Sequence, residues 1–230
     1  MEWWQILLII LGGLLVLFVL SIVLYKQFFK RFWDIVLSGL AIIVLSPLLI
    51  ILTIIGLFAM KGNPFFTQER PGKNEKIFKL IKFRSMTNEK DKNGELLPDE
   101  KRLKKYGKLL RSTSLDELPE LFNIFIGNMS IIGPRPLLVK YLPYYSDSEK
   151  HRHDVRPGLT GLAQINGRNF LNWKERLAMD VKYVDSISLL VDLRILIETV
   201  FKVLKREGVS EKRIKPLDEE RKEVKTNEVL

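Results

Sequence analysis

The stretch "IVLSGLAIIVLSPLLIILTIIGLFAM", residues 35 to 60, carries no charge yet sets Ser46-Pro47 at its midpoint. How the chain passes that proline decides the fold. Proline has no amide hydrogen and its ring collides with the carbonyl four residues earlier, here Ile43, so a bend is expected there. Each half, about 11 to 13 residues, makes roughly 16 to 20 Å of helix, too short to cross a hydrocarbon core of about 30 Å alone. Hydropathy leaves two readings open. A proline-kinked span would put everything after residue 61 across the membrane. A helix-break-helix would dip into one leaflet and return, with Ser46 helping to satisfy the freed carbonyl. Basic residues flank both ends, Lys30 and Arg31 before and Lys61 after.

Upstream, "ILLIILGGLLVLFVLSIVLY" from Ile6 to Tyr25 is uncharged over about 20 residues, long enough to cross a bilayer as a helix. Trp3 and Trp4 at one end and Tyr25, Phe28 and Phe29 at the other suit the headgroup layers. Lys26, Lys30 and Arg31 follow the segment and only Glu2 precedes it, which places residue 26 onward on the cytoplasmic side. A cleaved signal peptide would need a basic leader and a small-residue cleavage site. Neither is present. The organisation expected is an N-terminal transmembrane helix (1–29), a membrane helix (30–60), a cytoplasmic domain (61–210) and a charged, disordered tail (211–230).

The 230 residues carry a net charge of +10 and no cysteine. Disulfides, thiolate metal sites and thiol nucleophiles are therefore excluded, and the partner should be anionic: a nucleic acid, a phospholipid surface or a phosphorylated small molecule. In the soluble part, "NPFFTQERPGKNEKIFKLIKFRSM" reads as a β-hairpin turning at Pro71-Gly72. Residues 101 to 110 read as a short basic helix. Helical spacing recurs from Ser114 (Leu118, Leu121, Phe122, Phe125) and along "NWKERLAMDVKYV". "DLRILIETVFKVLKR" places Leu193, Ile197, Val200 and Leu204 on one side, as in a core helix or one lying in a membrane interface.

Against this basic background, "RSTSLDELPELFN" (111–123) sets Asp116 and Glu117 side by side. One explanation is structural: Ser114 and Glu117 have capping-box spacing, and acids in a first turn favour the helix dipole. Yet between Lys61 and Arg111 there are 15 Lys or Arg against 7 Asp or Glu. Such a field keeps both carboxylates ionised, gathers phosphates, and lets one carboxylate hold a divalent cation or attack an electrophile. "IGPRP" fixes Arg135 between prolines, either as a rigid surface turn or as a guanidinium held ready for phosphate. "VRPGLTGLAQINGR" combines Arg156, Gln164 and Arg168 with glycines that let backbone amides approach an anion, without a Walker or dinucleotide spacing. Lys82 and Arg84 share a strand face. Asp180 and Tyr183 can be buried partners of an arginine or part of a site.

Taken together and in order, Ser46-Pro47, "FTQERPG", "IFKLIKFRSM", "RSTSLDELPELFN", "GNMSIIGPRPLL", "VRPGLTGLAQINGR", "DVKYV" and "SLLVDLRIL" closely resemble the small monotopic phosphoglycosyl transferases of the bacterial sugar transferase family. The resemblance runs from about Lys30 to Ser210. It implies an α/β domain on the inner leaflet of the bacterial cell membrane, with interfacial helices and a re-entrant helix broken at Ser46-Pro47. Asp116 would be the nucleophile and touch magnesium, with Glu117 assisting. The reaction implied moves a phosphosugar from a UDP-sugar to undecaprenyl phosphate through an aspartyl intermediate, releasing UMP. Lys82, Arg84, Arg111, Arg135, Arg156, Gln164, Arg168 and Asp180 resemble positions that face substrate. The departure is the additional N-terminal helix, an anchor or a homodimer contact; Gly12-Gly13 is too weak a motif to choose.

Two rivals remain at this stage. A glycosyltransferase acting on a membrane acceptor would release UDP. A basic scaffold binding anionic lipid or nucleic acid would do no chemistry, and no nucleic-acid motif is present to support it.

Overall fold

The computed structural model describes residues 2–167, 171–205 and 215–227. It is a mixed helix and sheet fold. Helix α1 (Trp3–Val23) leads through a π-helical turn at Tyr25–Phe29 into α2 (Lys30–Ala59). Strands β1 (Phe65–Pro71) and β2 (Ile77–Phe83) follow, then α3 (Asp99–Arg102), α4 (Lys105–Thr113) and α5 (Glu120–Ile126). The remainder is β3 (Ser130–Ile132), α6 (Asp147–Lys150), β4 (Gly158–Thr160), α7 (Leu162–Ile165), α8 (Trp173–Asp185), α9 (Leu189–Leu204) and α10 (Leu217–Asn227).

The two half-helices expected around Pro47 form one run. Pro47 lies inside α2, and Ser46 Oγ donates to the Ile43 carbonyl at 2.8 Å. That carbonyl is the acceptor the proline cannot serve, so the hydroxyl bridges the gap in the ladder. At 1.5 Å per residue the helix is about 45 Å long. One stripe of it packs on the folded domain along almost the whole length. Asp34 accepts from Ser130 Oγ at 3.0 Å and from the Ile131 amide at 2.9 Å. Ala41, Ile42 and Leu45 pack against Leu121, Ile124 and Met129, and Leu49 and Leu52 against Phe83 and Leu110. Near the far end Tyr106 donates to the Leu52 carbonyl at 2.8 Å. The opposite face, with Ile43, Val44 and Phe58, is exposed and wholly apolar.

The hairpin is as expected: β1 and β2 pair antiparallel from Phe65↔Phe83 to Pro71↔Ile77. Asn123, buried on α5, closes the outer edge of β2 by accepting from the Ile81 amide at 3.0 Å and donating to the Lys79 carbonyl at 2.9 Å. Its side-chain amide thus stands in for a neighbouring strand. The brief strands also form: β3 and β4 pair parallel, Ser130 with Gly158 and Ile132 with Thr160. A Cβ at Gly158 would meet the Gly133 nitrogen at 2.1 Å, so only glycine lets these backbones meet at the root of the Pro134-Arg135-Pro136 turn.

Two further outcomes bear on function. On α9, Asp192 and Ile195 are buried while Leu193, Ile197, Val200 and Phe201 are exposed, so the apolar stripe faces out of the domain rather than into its core. The described part of the tail, residues 215–227, is not structureless as expected. Leu217 at the start of α10 is fully buried among Leu137, Tyr141, Tyr145, Trp173 and Leu177. Ion pairs Lys140–Asp218 (2.9 Å) and Arg221–Glu149 (2.6 Å) fasten the helix. A single apolar anchor with flanking charge pairs orders a segment whose composition alone suggests disorder.

Candidate active site

Asp116 and Glu117 do not open a long helix. Ser114 adopts a left-handed conformation (φ 57°) and ends α4, and Leu115–Glu117 form a single 3-10 turn. The capping box expected from Ser114 and Glu117 is absent, because the Ser114 side chain caps nothing in this conformation. Pro119, with no amide to donate, is the N-cap of α5, which has 7 residues. The dipole assistance expected for the dyad therefore shrinks to the end of a short helix.

Three elements bring cations to that turn. From β2, Lys82 Nζ lies 2.7 Å from Glu117 and 2.9 Å from Glu120. From the proline-flanked turn, Arg135 donates to the same Glu117 oxygen and keeps 43% of its side-chain surface open, leaving donors for a ligand. From α4, Arg111 donates through Nε to Ser85 Oγ at 2.9 Å, and its charge weakly favours the ionised form of Asp116. Gly107 makes this docking feasible, since a Cβ there would sit 1.8 Å from the Ser85 carbonyl oxygen.

The two dyad carboxyls are driven apart. Burial works against the charged form of Glu117, but Arg135 and Lys82 together outweigh it and hold its pKa down at about 2. Burial, followed by repulsion from Glu117, raises that of Asp116, against a weaker pull from Lys82 and Arg111. One carboxylate is thus committed to cations and the other is made more basic. Asp116 forms no ion pair among the described residues. A neighbouring pair pushed in opposite directions signals a division of roles.

The other predicted residues are distributed unequally. Arg84 follows the last residue of β2, is half-buried, and makes no ion pair among the described residues. Arg156 is not brought to the dyad; its Nε donates to the Gly127 carbonyl at 2.8 Å, at the C-terminal end of α5, where Arg31 also donates to the Ile124 and Phe125 carbonyls. That end is roughly 10 Å of helix away from the dyad turn. Gln164 is buried on α7 close to Gly161, and neither its Oε1 nor its Nε2 has a hydrogen-bond partner among the described residues. Arg168 lies outside the described residues. Asp180 is a buried partner of an arginine: Arg152 donates to it through Nε at 3.1 Å and NH2 at 2.8 Å, and also to the Arg135 carbonyl at 2.6 Å. It therefore acts on the site through the backbone of Arg135.

Sequence reasoning missed Glu120, Arg152 and Arg70. Glu120 follows Glu117 by one helical turn, a spacing that could have flagged it. Arg152, between His151 and His153, carries no local signal of a buried ion pair. Beside it, burial and the Arg152 charge lower the pKa of His153 to about 4. Unfolding raises it again to about 6.5, so the unfolded chain binds the extra proton between those values and stability drops as pH falls from 6.5 towards 4. The loss should reach about 3 kcal/mol. Thermal unfolding of wild type and His153→Gln across this range checks it: the wild type should lose its stability advantage below pH 6.5 and hold it constant above.

This constellation can be set beside known proteins. The model of the family described as bacterial sugar transferase matches residues 25–206. The chain belongs to the bacterial sugar transferase family. That match takes in α2 through α9 and leaves α1 and α10 outside it. Within the family it is 48% identical over 183 residues to the uncharacterized sugar transferase EpsL of Bacillus subtilis, covering 79% of this chain and 90% of that protein. It is 41% identical over 184 residues to a UDP-glucose:undecaprenyl-phosphate glucose-1-phosphate transferase of Klebsiella pneumoniae, covering 76% of this chain. It is 36% identical over 201 residues to an undecaprenyl-phosphate galactose phosphotransferase of Salmonella typhimurium, covering 80% of this chain. The sugar transferase described here spans only 40% and 42% of the length of the latter two.

Proposed function

We propose that this sugar transferase is a phosphoglycosyl transferase, moving a sugar phosphate from a UDP-sugar to undecaprenyl phosphate through a covalent intermediate on Asp116. The observation that carries the reading is the division within the acidic cluster: Glu117 and Glu120 are held by Lys82 and Arg135, while Asp116 is raised in basicity and has no ion pair among the described residues. A scaffold for anionic lipid would gain nothing from three buried or half-buried carboxylates at the centre of its basic surface.

Asp116 would attack the β-phosphorus of the donor, and Arg135 and Arg111 would draw the diphosphate towards it. Lys82, fixed between Glu117 and Glu120, holds the local charge balance so that a carboxylate can approach a phosphate. Among the described residues no three acidic or histidine side chains converge on a metal. Magnesium commonly takes one or two protein carboxylates and completes its shell with water and substrate phosphates. An unpaired Asp116 fits that mode. When bound, the ion would offset the diphosphate charge.

Membrane placement follows the same reading. Both ends of α2 pack on one charged domain, so a helix crossing the bilayer would drag that domain's surface with it. Entry into one leaflet and return lets Lys30, Arg31, Lys61 and the domain share the cytoplasmic side, with the exposed stripe of α9 and Phe122, Phe125 and Ile126 of α5 on the inner-leaflet phospholipids. The α1 helix, apolar and exposed on its described faces, serves as an additional anchor.

Incubating detergent-solubilised protein with magnesium, undecaprenyl phosphate and a panel of UDP-sugars, headed by UDP-glucose and UDP-galactose, tests the reaction. UMP should appear with one donor. Release of UDP instead would replace this reading with simple glycosyl transfer.

A further inference from the structure

The turn that carries Arg135 is stiff, because Pro134 and Pro136 fix the backbone on either side of it. Its upstream end is framed by backbone: the Gly133 amide donates to the Thr160 carbonyl and the Gly158 amide to the Pro134 carbonyl, each at 2.9 Å. Its downstream end has no strand partner among the described residues. Residues 137–145 contain a 3-10 stretch (Val139–Tyr144), and the Tyr141 and Tyr145 amides donate to the nearby Leu138 and Leu142 carbonyls. Side chains supply the hold on the rest of the molecule. Leu137, Tyr141 and Tyr145 are buried together with Trp173 and Leu177 of α8 and with Leu217 of α10.

Helix α10 closes over this stretch in three ways. Leu217 is fully buried in the cluster, Lys140 pairs with Asp218 at 2.9 Å, and the Lys222 ammonium lies over the Tyr144 ring, 5.9 Å from its centre. Two further contacts fasten the same segment elsewhere: Trp173 Nε1 of α8 donates to the Lys215 carbonyl at 2.8 Å, and Arg221 pairs with Glu149 of α6 at 2.6 Å. The segment therefore ties the residues after Arg135 to α8 and α6. It does so from outside the stretch that matches the family, which ends at residue 206. We infer that α10 is a positioning element for the reaction: through Leu217 it fixes residues 137–145, and through the two-proline turn it sets the Arg135 guanidinium that grips Glu117 and draws in the donor diphosphate. The inference rests on the phosphoglycosyl reading, which gives Arg135 that role. A stiff turn passes a shift at one end to the other, and a misplacement of about 1 Å in a positioning group can cost up to about 100-fold in rate. A helix held by one apolar anchor and a few charge pairs can detach locally while the domain stays folded.

The test uses the full chain in detergent and follows, by intact mass, the rate at which the phosphosugar adduct forms with magnesium and a saturating concentration of the UDP-sugar that wild type accepts, without acceptor. Leu217→Asp sets a charge in an apolar cluster and should release α10, lowering that rate about tenfold. Arg135→Lys supplies the decisive comparison. It lowers the rate by itself, and adding Leu217→Asp to it should cost less than about a further twofold, because both changes act through one guanidinium and their effects do not add. If Leu217→Asp does not fold, the pair Asp218→Asn with Arg221→Gln takes its place on both backgrounds; it loosens α10 at part-exposed ion pairs and should cost about threefold. A wild-type rate with only a lowered unfolding midpoint would show that α10 packs without positioning anything. A raised rate would make α10 a restraint on the site, and an undiminished loss on the Arg135→Lys background would place its action away from Arg135. Each of these three results overturns the inference. All differ from failure of the underlying reading, in which wild type forms no phosphosugar adduct and releases no UMP.

Discussion

Asp116→Asn should abolish the covalent half-reaction and leave the fold intact. Intact-mass measurement after incubation with donor and magnesium, without acceptor, should show a phosphosugar adduct on wild type and none on the variant. Turnover should fall by at least about 10⁴-fold, the order seen when a nucleophilic unit is broken. The stability half of the prediction separates this residue from its neighbours. Asp116 has no ion pair to lose among the described residues, and its removal relieves repulsion against Glu117. The thermal midpoint should therefore stay level or rise. Glu117→Gln should also lose activity, but by taking from Arg135 its carboxylate partner and leaving Lys82 to Glu120 alone, and its midpoint should fall. Normal turnover by Asp116→Asn, or an adduct on it, would end the nucleophile assignment.

What the sequence disclosed follows the range of the interactions involved. The hairpin was legible because apolar alternation and a Pro-Gly turn are local signals, and Ser46 could be matched to Ile43 because helix geometry fixes that separation. Lys82 and Arg135, far apart in sequence, meet on Glu117 in the structure. The conformation of the dyad turn did not follow from spacing, because Ser114 takes a left-handed backbone that the capping-box pattern does not foresee. The supporting shell was least legible. Lys82 meets Glu120 and Arg152 meets Asp180 only after β2, α5 and α8 have packed, and nothing near Arg152 announces a buried ion pair. The stripe of α9 had two valid readings from periodicity, and only its outward direction in the structure separates an interface from a core.

That supporting shell gives the second large effect. Arg152 and Asp180 are 1% and 2% exposed at the side chain, so removing one charge leaves the other uncompensated in the interior. Asp180→Asn should cost about 3 to 5 kcal/mol of stability, read as a lowered thermal midpoint in detergent. Activity should fall as well, because Arg152 also holds the Arg135 carbonyl and thereby the guanidinium that grips Glu117. A double variant, Arg152→Met with Asp180→Leu, separates the two effects. An apolar pair of similar volume should restore most of the stability, as replacement of buried ion pairs often does. It cannot restore the hydrogen bond to the Arg135 carbonyl, so kcat should remain depressed at saturating donor. Recovery of kcat together with the midpoint would show that the pair is core packing alone, and that the proline-flanked turn holds Arg135 in place without it.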